Sequence, residues 1–72
     1  MHYLDLMGLN CPIPVLKTKK FLATINSDED VTITTSDPAS ELDLQEFCRK
    51  TGNKLLQQII TPDLITTIIK RR

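Results

Sequence analysis

Two prolines, Pro12 and Pro14, follow closely on Gly8 and restrict what the chain can do around them. Proline is tolerated in the first turn of a helix, where its missing N–H would have had no partner and its fixed φ already suits the helix. Pro14 also pushes Ile13 away from the helical region, so the spacing predicts a rigid lead-in and a helix beginning in earnest at Pro14. Cys11 then falls at or just before a helix N-terminus, behind the Gly8 turn. A cysteine there meets the positive end of the helix dipole and backbone N–H groups without intrahelical partners. The prolines withhold two donors and leave N–H groups such as those of Ile13 and Val15 to hold an anion. This setting favours the thiolate, the reactive form, and predicts a Cys11 pKa below the free-cysteine value of about 8.5. Cysteine is a poor N-cap beside Ser, Asp or Asn, so capping does not account for it. The sequence points to sulfur chemistry at Cys11, framed by Gly8, Pro12 and Pro14.

Residues 1–72 are long enough for a single domain with a small core. No apolar stretch approaches the roughly 18 residues of a membrane span. Met1-His2-Tyr3-Leu4-Asp5 is not a basic region leading into an apolar one, so no signal peptide is expected and the expected location is cytoplasmic. Nine Lys plus Arg balance nine Asp plus Glu, which argues against direct nucleic-acid binding. The cysteines Cys11 and Cys48 and the lone His2 make no zinc spacing, and no cofactor or metal is expected. A Cys11–Cys48 bridge stays open; in a reducing cytosol it would be transient. Lys17, Lys19 and Lys20 follow the cysteine and are candidate contacts for a small anion or an acidic partner. The plainer reading of such a run is a solvated face.

Tyr3–Leu6 alternates as a short strand, ended by Gly8. Val15, Thr18, Leu22 and Ile25 recur at helical spacing and predict a helix running to about Ile25. The β-branched run Val31–Thr35 predicts a strand. Asp37 and Pro38 suit the N-cap and first residue of a second helix, Leu44, Phe47, Cys48 and Thr51 mark its inward stripe, and Gly52 suits its left-handed end. Cys48 lies on that stripe beside Phe47 and is expected in the core. Lys54–Thr61 and Leu64–Lys70 read as strands joined at Pro62-Asp63. The order is βαβαββ, an α/β two-layer sandwich with a four-stranded mixed sheet and two helices on one face. In the last strand Leu64, Thr66 and Ile68 oppose Ile65, Thr67 and Ile69, so apolar residues fall on both faces. That pattern suits either a partner surface or loose edge packing.

Gly8-Leu9-Asn10-Cys11-Pro12-Ile13-Pro14 resembles the Gly-Leu-x-Cys-Pro-x-Pro signature of the TusA (SirA-like) sulfur-carrier family. The resemblance covers nearly the whole chain and includes Asp37-Pro38-Ala39, Asp43-Leu44 and Phe47-Cys48. It implies a carrier that forms a persulfide on Cys11, with sulfurtransferase-type chemistry rather than stand-alone enzyme activity. A cysteine desulfurase or rhodanese-like protein would supply the sulfur, and a downstream acceptor protein would take it. The best-known destination in the family is 2-thiolation of the wobble uridine of tRNA; related members serve molybdenum cofactor formation, thiosulfate metabolism or sulfur oxidation. Leu42 stands where a basic residue is frequent in the family, and Ser36 where a second acidic one is. Both departures bear on a partner surface more than on sulfur transfer.

Two other functions fit the residues. Cys11 would attack thiosulfate directly, with Lys17, Lys19 and Lys20 attracting the anion, or the chain would be a redox-regulatory binding module with Cys11 as a switch.

Overall fold

The structure, a computed structural model, describes residues 2–72. Its elements are β1 (His2–Leu6), α1 (Ile13–Leu22), β2 (Asp30–Thr35), α2 (Ser40–Thr51), β3 (Lys54–Ile60) and β4 (Ile65–Lys70). The four strands form one mixed sheet in the order β1-β2-β4-β3, with β1 parallel to β2 and the other pairs antiparallel. The βαβαββ order and the two-layer arrangement follow the expectation from hydrophobic periodicity.

Alternation decides which sheet face is covered. Leu6 of β1, Val31 and Ile33 of β2, and Ile65, Thr67 and Ile69 of β4 are buried beneath the helices. The helices add Leu22 from α1 and Leu44, Phe47 and Cys48 from α2. Ile33, Leu44 and Ile69 are completely inaccessible and form the centre. Tyr3, Thr32, Ile68 and Gln57 lie opposite one another in register on the other face. Thr66 and Ile68 there are half-buried, while Tyr3 and Ile59 are exposed. Between Leu55 and Gln57 the β3–β4 register slips by one residue, leaving Leu56 as a bulge on the sheet edge.

Several element ends differ from the sequence reading, beginning with α1, which opens at Ile13 rather than Pro14. Helix α1 closes at Leu22, not Ile25, because the Thr24 and Ile25 N–H groups bond three residues back, to Phe21 and Leu22, and tighten the last turn. Ile25 stays buried at the end of the predicted stripe. Helix α2 starts at Ser40 rather than just after Asp37. Residues 37–40 first make a turn, in which Asp37 Oδ1 accepts the Ala39 N–H and the Asp37 carbonyl accepts the Ser40 N–H. At its other end Gly52 takes the predicted left-handed conformation, φ 80°, and its N–H bonds the Cys48 carbonyl. Strands β3 and β4 end one residue short on each side of the Pro62-Asp63 turn, where Thr61 and Leu64 pair.

Gln58 of β3 fixes the start of α2 over the sheet. Its amide donates to the Glu41 carbonyl and to Thr67 Oγ1, and it accepts from Gln45. This anchor places the next residues of α2 beside the beginning of α1.

Candidate functional site

Cys11 is a free, exposed cysteine in the turn between β1 and α1. Gly8 makes that turn possible: its φ of 81° lies where a side chain is strained, although a Cβ there would touch nothing. The Gly8 N–H is held by Ser36 Oγ at 2.8 Å, so Ser36, singled out in sequence as a departure, braces the cysteine turn. The Cys11–Pro12 peptide is cis. Pro12 is the N-cap of α1, and Pro14 is buried in the first turn beneath it.

The acidity of Cys11 departs from expectation. Its N–H donates to Asp37 Oδ2 at 2.6 Å, and its thiol donates to Asp43 Oδ2 at 2.7 Å. The Asp43 hydrogen bond, with some burial and the negative charges of Asp43 and Asp37, holds the thiol pKa above its ordinary value. The dipole argument predicts the opposite, and local geometry overrules it. The Ile13 N–H is occupied by the Asn10 carbonyl at 2.9 Å, the Cys11 N–H by Asp37, and the prolines have none. A helix end offers about half a charge; a carboxylate in contact with the sulfur offers a whole one. Asp37 itself is held below the usual carboxylate range by the Cys11 and Ala39 N–H groups. It is therefore more than a helix cap: it ties the α2 lead-in to the cysteine turn.

A groove of about 440 Å³ runs from Cys11 between the two helices. Val15, Leu16 and Phe47 make its apolar stretch. Lys19 lies further along α1, and Glu46 and Lys50 along α2. Glu46 is ion-paired with Arg49 and, at 3.8 Å, with Lys50. Of the three lysines singled out in sequence, Lys19 alone lines this groove; Lys17 and Lys20 are exposed on α1 outside it. The sequence reading missed Asp43 as a partner of Cys11, and missed Lys50. The available signal was the place of Asp43 beside the buried Leu44 on a helix that must pack next to α1.

Cys48 is 4 % exposed, and burial pushes its thiol up to about 11. Both cysteines are free, so no bridge joins them. Among the described residues no group of His, Cys, Asp and Glu converges to hold a metal ion, and no helix is long and apolar enough to cross a membrane.

A small sheet carrying two helices on one face, with an exposed cysteine at the head of the first helix, defines a class of cysteine-bearing α/β sandwiches. The family model for Sulfurtransferase TusA matches residues 2–71, and the chain belongs to that family. The chain is 41% identical over 54 residues to the sulfur carrier protein TusA of Allochromatium vinosum, covering 75% of this chain and 71% of the relative. It is 33% identical over 69 residues to a Neisseria meningitidis serogroup A protein whose name marks it as a candidate sulfur carrier, covering 96% and 93% of the two chains. The crystal structure of the SirA-like protein from Desulfitobacterium hafniense superposes with a TM-score of 0.84 at 28% identity, over 97% of this chain and 96% of that one.

Proposed function

We propose that this member of the TusA family carries sulfane sulfur as a persulfide on Cys11. The observation that carries the reading is an exposed free thiol at the mouth of a surface groove, in a chain of the TusA family that is similar in sequence to a named sulfur carrier. In loading, Cys11 Sγ attacks the outer sulfur of a donor persulfide. A new S–S bond forms on Cys11, the donor's S–S bond breaks, and the Cys11 proton passes to the departing donor thiolate. Delivery repeats the exchange with an acceptor. A cysteine desulfurase or rhodanese-like protein is the proposed donor, a downstream protein the acceptor, and wobble-uridine 2-thiolation one destination. Gly8, Pro12 and Pro14 hold the turn that presents the sulfur.

Direct attack on thiosulfate is the weaker reading. That donor is a dianion, and the groups touching Cys11 are two carboxylates, while Lys17 and Lys20 lie outside the groove. A redox-regulatory role finds no second thiol at Cys11, since Cys48 is buried and unbridged.

Intact-protein mass after incubation with a cysteine desulfurase and cysteine tests the reading. Wild type and Cys48→Ser should gain one reducible sulfur atom, and Cys11→Ser none. No gain in wild type from this donor or from a rhodanese-like one would refute it.

A further inference from the structure

The groove is electrically polarised, with Asp43 at its mouth and Lys19 further in. At the mouth, Asp37 has both oxygens committed, to the Cys11 and Ala39 N–H groups. Asp43 gives Oδ2 to the thiol, and its Oδ1 takes no donor among the described residues. Nor does Asp43 form an ion pair there. Further in, the Glu46 carboxylate is bound by Arg49 and lies 3.8 Å from Lys50, while Lys19 has no acidic partner among the described residues. Lys19 lies six residues into α1 from Ile13, about 9 Å at the helical rise. Leu16, 52 % exposed, lies between Cys11 and Lys19 with Val15 and Phe47. Along the groove the order is acid, apolar, base.

We propose that this groove receives an extended segment of a partner protein carrying the reverse order, with a basic side chain on Asp43, apolar side chains on Val15, Leu16 and Phe47, and an acidic side chain on Lys19. This deepens the carrier reading and rests on it for why a partner must reach Cys11. The basic side chain has a second effect. By pairing with Asp43 it offsets the charge that keeps Cys11 as a thiol, so the sulfur becomes nucleophilic when the correct partner is seated. A segment with the opposite charge order meets like charge at both ends and leaves the thiol protonated.

Disulfide exchange tests this without any persulfide. Two peptides of the same composition serve as probes, Arg-Cys-Leu-Val-Glu and Glu-Cys-Leu-Val-Arg, blocked at both ends, each cysteine activated as its thiopyridyl disulfide. Their charged residues lie four apart, about 13 Å when extended. In the reaction Cys11 Sγ bonds to the peptide sulfur, and thiopyridone leaves with the Cys11 proton; its absorbance gives the rate. At low salt the arginine-first peptide should react about tenfold faster. The advantage should shrink severalfold in Asp43→Asn and in Lys19→Gln, and should fall as salt rises. Equal rates in the wild-type protein, or an advantage untouched by Asp43→Asn, would overturn the proposal. Faster reaction of the glutamate-first peptide would also overturn it, assigning the mouth to an anionic occupant. All three results leave desulfurase loading of Cys11 to be read separately by mass.

Discussion

Cys11 acts under two opposed electrostatic influences, and distance decides between them. At the helix end the Cys11 and Ile13 N–H groups are occupied and the prolines have none, whereas Asp43 touches the sulfur. The Cys11 pKa is therefore raised above the ordinary cysteine value, by the Asp43 hydrogen bond first. Alkylation of Cys11 by iodoacetamide should accordingly show a midpoint above the free-cysteine pKa of about 8.5, and Asp43→Asn should lower that midpoint. A wild-type midpoint below the free value would contradict the hydrogen-bonded geometry. In the same experiment Cys48 should stay unmodified in the folded protein, because its thiol is buried and its pKa is pushed up to about 11.

The elements show where local pattern suffices. Of the first predicted stripe Thr18, Leu22 and Ile25 are buried and Val15 is half-buried; of the second, Leu44, Phe47 and Cys48 are buried and Thr51 is half-buried. Gly52 ends α2 because φ 80° suits glycine, a rule visible in one residue. The start of α2 was less legible. Asp37 satisfies local capping chemistry in several conformations, and its second oxygen is claimed by Cys11 from across the fold. The Leu56 bulge was also hidden, since strand alternation carries no mark of an inserted residue without its pairing partner. Thr18 offers a test at this scale. It is fully buried on α1, and its hydroxyl has no hydrogen-bond partner among the described residues. Thr18→Val keeps the shape and removes the unpaired group, so it should stabilise by about 1 kcal/mol. Thermal unfolding should rise by roughly 4–8 °C for a domain of this size; a fall would mean the hydroxyl has a partner in solution.

The whole molecule rests on one thin layer of contact between sheet and helices. Leu44 of α2 and Ile33 and Ile69 of the sheet lie at its centre, each fully buried. Leu44→Ala should cost about 2–5 kcal/mol through lost contact and the cavity left behind. Small domains hold only about 5–15 kcal/mol in all. Urea unfolding should therefore show a much lower midpoint with an unchanged slope. A small shift would mean the layer can collapse around the gap. The sequence by itself determined the βαβαββ order, the buried stripes, the glycine turns and the placing of a lone exposed cysteine beside a proline-built helix start. Each of these follows from neighbours within a few residues. Only the tertiary structure decided what surrounds that cysteine. Asp37 and Asp43 lie 26 and 32 residues away along the chain and reach Cys11 because Gln58 fixes the start of α2 over the sheet and α2 packs against α1. Electrostatic interaction depends on separation in space, so the direction in which the thiol shifts is settled by packing, not by the motif that carries it.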